Sequence, residues 1–140
     1  KTKLQKELAD DRVQYLGLVR YEEVIELMFS STIGVVMNQP VFNYDKSLPN
    51  KLFEYMAHGL PVVCSNYPHW KKIVEDNKAG VCCDPQELED ISKAIEEILI
   101  DAEKQKVMSK NGLNTIKNKY NLTKETKSLI QFYKQVLHEK

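Results

Sequence analysis

The strongest constraint on the fold is a rhythm in which short runs of β-branched and small apolar residues alternate with stretches of helical spacing. Residues 33–37, 60–64 and 79–83 are almost wholly apolar, as befits strands covered on both faces of a parallel sheet. Between the first two runs, a helix is predicted from Pro49 or Asn50 to about His58, where Gly59 supplies the stop and Pro61 forbids continuation. Between the second and third, Pro68 opens a short helix ending near Asp76, with Trp70, Ile73 and Val74 on its apolar side. From Glu87 onward, Leu88, Ile91, Ile95, Ile98 and Leu99 mark an amphipathic helix. Upstream, 13–16 reads as a strand closed by Gly17, and 21–31 as a helix carrying Val24, Ile25, Leu27 and Met28. The charged residues 1–12 read as the tail of a helix that begins upstream. Helices are also predicted over 102–119 and 123–139, the last with Thr123 as N-cap.

Strands alternating with helices imply right-handed crossovers and a parallel sheet, so the class is α/β, Rossmann-like, with helices on both faces. A length of 140 residues suits one core, and residues 1–140 read as one partial domain with C-terminal helices over 102–140. Hydrophobic residues at 42% and charged residues at 29% exclude a disordered chain. Twenty basic residues balance twenty acidic ones, so no net field points to nucleic acid. No apolar run approaches the roughly 20 residues that span a bilayer, and no leader pattern opens the sequence; the reading is cytoplasmic. Cys64, Cys82 and Cys83 read as small buried apolar residues rather than metal ligands, because adjacent strand positions face opposite ways. His58 reads as a helix-end cap, Trp70 as packed on the sheet and Arg20 as solvated.

In open parallel sheets, ligands bind beyond the carboxyl ends of the strands, which singles out the loops at 17–20, 38–50 and 65–69. The helix that starts at Pro49 or Asn50 would present unpaired N–H groups and its positive pole to that crevice, a place for a phosphate or diphosphate. Lys51 in its first turn costs ~0.3–1 kcal/mol against the dipole unless an anion lies between them. Glu54, one turn on, can accept hydrogen bonds from the two hydroxyls of a ribose. The plainer alternative makes Lys51 and Glu54 surface neighbours three residues apart on a solvated helix.

Residues 49–63, Pro-Asn-Lys-Leu-Phe-Glu-Tyr-Met-Ala-x-Gly-x-Pro-Val-Val, resemble the signature of the retaining GT-B glycosyltransferases, the large sucrose-synthase-like and capsular-polysaccharide family of group 1 glycosyl transferases. The likeness runs from about Val13 to about Ile100. It implies the C-terminal, nucleotide-sugar-binding half of a GT-B fold, truncated at its N-terminus. It further implies that Gly17, Leu18 and Val19 line the base pocket, that Asn50, Lys51 and Leu52 meet the diphosphate and that Glu54 meets the ribose, with Ser47 a further donor contact. Where many members carry a second glutamate, eight residues before the ribose-binding one, this sequence has Lys46, with Asp45 beside it.

The implied donor is a UDP- or GDP-sugar and the implied reaction is hexosyl transfer to a glycan or lipid-linked acceptor, in polysaccharide biosynthesis. The acceptor would sit on an N-terminal domain lying outside this sequence. So would the cationic segment that stabilises the leaving diphosphate, and the isolated chain is expected to be inactive. No metal or other cofactor is expected, and no nucleic acid. The full enzyme could associate peripherally with a membrane, and an exposed sheet edge could support a dimer. Two readings from other classes compete: a non-catalytic α/β scaffold that retains the fold only, and a response-regulator-like domain, for which the acidic cluster or phosphate loop is missing.

Overall fold

The computed structural model describes residue 10, residues 12–41 and residues 47–138. The chain divides into two compact units, residues 1–30 and 31–140.

In the first unit, helix α1 (Tyr21–Ser30) starts where the Arg20 backbone N–H donates to the Glu23 carboxylate at 2.8 Å, one half of a capping box. Segment 13–16, expected as a strand, joins no ladder, because the described sheet is built from three other segments. Strand-forming side chains do not suffice: a strand exists only where a neighbouring backbone takes up its N–H and C=O groups. Val13, Tyr15 and Leu16 are exposed.

The second unit alternates strand and helix as the rhythm demands. Strands β1 (Gly34–Val36), β2 (Val62–Ser65) and β3 (Gly80–Cys83) form a parallel sheet in that order. The register sets Val35 beside Val63 and Cys64 beside Cys82. Helices α2 (Asn50–Ala57) and α3 (Pro68–Val74) are the crossovers, and α4 (Leu88–Leu99), α5 (Ala102–Asn118) and α6 (Leu122–His138) follow β3. None of the described helices is long and apolar enough to cross a membrane.

Successive residues of β2 face opposite ways, and two apolar clusters result. Val62 and Cys64 meet Leu52 and Met56 of α2 and Trp70, Ile73 and Val74 of α3. Val63 meets Ala94 and Ile98 of α4, together with Cys83 and Met108. All four residues of β2 are buried, as a central strand covered on both faces requires. The cysteines belong to these layers. Cys64 and Cys82 lie with their Sγ atoms 3.4 Å apart, and Cys83 Sγ turns towards Met37 Sδ at 3.9 Å. The hydrogen bond with Cys82, and then burial, raise the Cys64 thiol pKa far above the usual range. Burial first, and then Cys82, raise that of Cys83 to about 11. Both stay protonated and unreactive near neutral pH.

The helix ends carry their own chemistry. Asp101 caps α5, its carboxylate accepting from the Lys104 N–H at 2.9 Å. The cap of α6 is Asn121 rather than Thr123: the Asn121 side chain accepts from the Lys124 N–H at 3.0 Å and donates to the Lys117 carbonyl at 2.7 Å. A single Asn thus closes one helix with its amide N–H and opens the next with its amide oxygen. At the end of α2, Gly59 takes φ +73°, and the turn returns the chain so that the Leu60 N–H donates to the Tyr55 carbonyl at 2.9 Å. A Cβ on residue 59 would lie 3.0 Å from Ser109 Oγ of α5. Gly59→Ala is therefore expected to cost about 1–2 kcal/mol through the left-handed backbone alone. Chemical denaturation checks this, and an unchanged midpoint would show that the turn is free to adopt another conformation.

Candidate functional site

At the carboxyl end of β1, a cleft of about 570 Å³ opens between the strand end and the start of α2. Val35, Val36, Met37 and Asn38 form one side, and Pro49, Asn50, Lys51 and Glu54 the other. The sequence builds this geometry locally. Pro49, at φ −70° and ψ 132°, is the N-cap residue of α2 and offers no side-chain cap. Helix N-termini are usually closed by Ser, Thr, Asp or Asn, so this one is left open. Among the described residues, no hydrogen bond engages the N–H groups of Asn50 and Lys51, while that of Leu52 donates to the Pro49 carbonyl at 3.1 Å. No acidic residue lies in the first turn to offset the positive pole.

Lys51 and Glu54 stand one turn apart and form no ion pair with each other or with any other described residue. Lys51 is exposed, as the plainer view of a solvated helix face expects, and Glu54 is partly buried. Both line the cleft, as a cation near the helix start and a half-buried carboxylate further along. Beside them, burial and then the Glu54 charge raise the pKa of the Tyr55 phenol. The Tyr55 ring lies over Gly34, where a Cβ would stand 2.3 Å from it, so only glycine at 34 lets α2 rest this close to β1.

The structure thus brings Asn50, Lys51 and Glu54 together. Leu52 is different: its side chain is fully buried in the core with Met56 and Trp70. It lies on the face of α2 turned to the sheet, so it offers no side chain to a diphosphate, and its N–H is already engaged. Ser47 does not line the cleft; its carbonyl accepts from Trp70 Nε1 at 2.7 Å. Trp70 is fully buried on the sheet, as expected. His58 Nδ1 lies 2.7 Å from the Glu54 carbonyl, at the C-terminal end of α2. Asp45 and Lys46 fall outside the described residues.

Gly17, Leu18 and Val19 belong to the first unit. Gly17 has φ +69°, Leu18 is fully exposed, and Val19 lines a groove with Leu16, Glu23, Glu26, Leu27 and Ser30. Arg20 faces the Glu23 carboxylate at 3.6 Å. The rule that places ligands at the carboxyl ends of parallel strands singles out Asn38 as the first residue of the loop 38–50, whereas Val35, Val36 and Met37, read only as part of a strand, were not singled out.

A family model for glycosyl transferases group 1 matches residues 1–115. The chain belongs to this family. Its fold matches that of sucrose-phosphate synthase from Thermosynechococcus elongatus with a TM-score of 0.80, over 98% of this chain and 33% of that one, at 23% sequence identity. The likeness fixes the fold as the Rossmann-like, C-terminal-domain type of the GT-B glycosyltransferases, and the chain spans about a third of the length of the enzyme it matches. No curated sequence matches at a significant level. The parallel order β1-β2-β3 is what such a glycosyltransferase domain needs to gather its strand ends along one edge.

The placement of Leu52 separates a packing role from a binding one. Leu52→Ala should destabilise the domain by about 2–5 kcal/mol, the range for a buried Leu, measurable by urea denaturation. Loss of ligand affinity without loss of stability would contradict the buried position.

Proposed function

We propose that this chain binds the diphosphate and ribose of a UDP- or GDP-sugar in the cleft between β1 and α2, as the donor-binding part of a glycosyltransferase. The observation that carries the proposal is the open start of α2, where two unengaged N–H groups and Lys51 share a cleft with the unpaired carboxylate of Glu54. The N–H groups and the Lys51 ammonium hold the diphosphate oxygens. Glu54 accepts hydrogen bonds from the two ribose hydroxyls, as an acidic residue does in dinucleotide-binding folds. The volume is in the range of small-molecule sites. Membership of the family supports transfer from a sugar nucleotide.

By resemblance, the base falls to Gly17, Leu18 and Val19. Retention of configuration and hexosyl transfer belong to the same proposal, as does a glycan or lipid-linked acceptor held by a separate domain. In such a reaction this chain's residues bind and orient the donor. Positive charge fixed in place beforehand stabilises the diphosphate as it departs, because the groups need not reorganise while charge develops.

UDP or GDP, titrated to millimolar concentration, should raise the melting temperature. A ligand at a hundred times its Kd stabilises the native state by about 2.7 kcal/mol. Glu54→Gln keeps the shape and removes the charge. Hydrogen bonds to charged groups contribute about 1.5–3 kcal/mol, so affinity should fall roughly tenfold or more. Calorimetric titration of both proteins checks the pair of outcomes. Absence of any response to either nucleotide would leave the domain a scaffold that kept the fold, and unchanged affinity in the variant would remove Glu54 from the site.

A further inference from the structure

Asn38 stands where the chain leaves β1, on the side of the cleft away from α2, and side chains from the next strand and loop pin its backbone. Its N–H donates to Ser65 Oγ at 2.9 Å, and its carbonyl accepts from Ser65 Oγ at 3.0 Å and from the Tyr67 hydroxyl at 3.1 Å. Ser65 is fully buried at the end of β2. A hydroxyl there is costly unless bonded, and this one both donates and accepts on the same residue. The next residue is tied as well, with Gln39 Nε2 donating to the Pro85 carbonyl beyond β3 at 2.7 Å.

With both backbone groups of Asn38 engaged, its side-chain amide is what remains. It makes no hydrogen bond to any described residue, yet no buried side-chain nitrogen or oxygen among the described residues lacks a partner. The amide is therefore open to solvent on a residue that lines the cleft, with two donors and an acceptor. With the Asn38 backbone fixed, only the two side-chain torsions are left to order when the amide binds.

We infer that Asn38 is a further binding residue, donating from its amide to the diphosphate, and that Ser65 and Tyr67 are positioning residues that hold it there. This rests on the reading of the cleft as a nucleoside-diphosphate site. The donors of Asn50 and Lys51 approach from the α2 side, and Asn38 supplies a neutral donor from the other. A carboxylate at 38 would oppose the same ligand.

Calorimetric titration of the 140-residue chain with UDP, GDP, uridine and guanosine tests the inference. A neutral hydrogen bond contributes about 0.5–1.5 kcal/mol, so Asn38→Ala should weaken the bound diphosphate roughly three- to tenfold. Binding of the corresponding nucleoside should not change. Asn38→Asp should weaken the diphosphate further. Ser65→Ala should lose as much as Asn38→Ala, and the double variant no more than either single one, since Ser65 acts through Asn38. Additive losses would make Ser65 a general structural residue and overturn its positioning role. Tyr67→Phe keeps the ring and removes one donor, and should show a smaller loss of the same kind even if Ser65→Ala fails to fold. Diphosphate affinity unchanged in Asn38→Ala, in a parent chain that binds UDP or GDP, would overturn the inference alone. A parent that binds neither would overturn the reading of the cleft with it.

Discussion

Everything in the second unit depends on the burial of β2. Its four residues reach no water, so each backbone N–H and C=O needs a partner strand and each face needs a helical cover. The partner strands β1 and β3 satisfy the backbone. Val62 and Cys64 commit α2 and α3 to one face, while Val63 commits α4 to the other. A substitution that slipped the β2 register by one residue would exchange these sets and strand both layers. Parallel pairing then places all three carboxyl ends along one edge, and the cleft follows from the pairing.

The start of α2 is built at a cost to local stability. Pro49 sets the entry angle but cannot cap with a side chain, and Lys51 adds charge of the unfavourable sign to the positive pole. A helix of eight residues has little intrinsic stability. It is held instead by Leu52 and Met56, both fully buried, and by the close approach of Tyr55 to Gly34. Apolar packing on one face thus maintains an electrostatic arrangement on the other.

What could be read from the sequence follows the reach of each physical signal. The strands at 33–37, 60–64 and 79–83 and the helices between them were legible because a fully covered parallel strand needs an unbroken apolar run. Segment 13–16 carries a similar composition, but a ladder is a property of two backbones and cannot be read from one. Asn50, Lys51 and Glu54 were legible as a group because helical spacing fixes their mutual positions. The same spacing puts Leu52 on the opposite side of the helix, with its side chain buried in the core. Asn38 was legible only as the first residue of a loop at the strand ends; how it is held, by Ser65 and Tyr67, 27 and 29 residues away, was not, because no local pattern encodes those backbone contacts. Asn121 displaced Thr123 as a cap because it serves two helix ends at once.

Helix α5 packs at both layers. Met108, near its middle, joins the apolar cluster on the α4 face, and Ile116, two turns on, packs against the cluster on the α2 and α3 face. A segment that spans the rim of a sheet in this way couples its two sides mechanically. Neither helical layer can lift from the strands without dragging or releasing α5, so partial opening of one layer alone is disfavoured, and the sheet with its flanking helices opens as one cooperative body. Helix α6 follows different rules, since Leu129, Phe132, Tyr133 and Leu137 are all exposed. No described residue that lines the cleft lies beyond Asn121, so a protease cutting within α6 would shorten the chain without removing any of them.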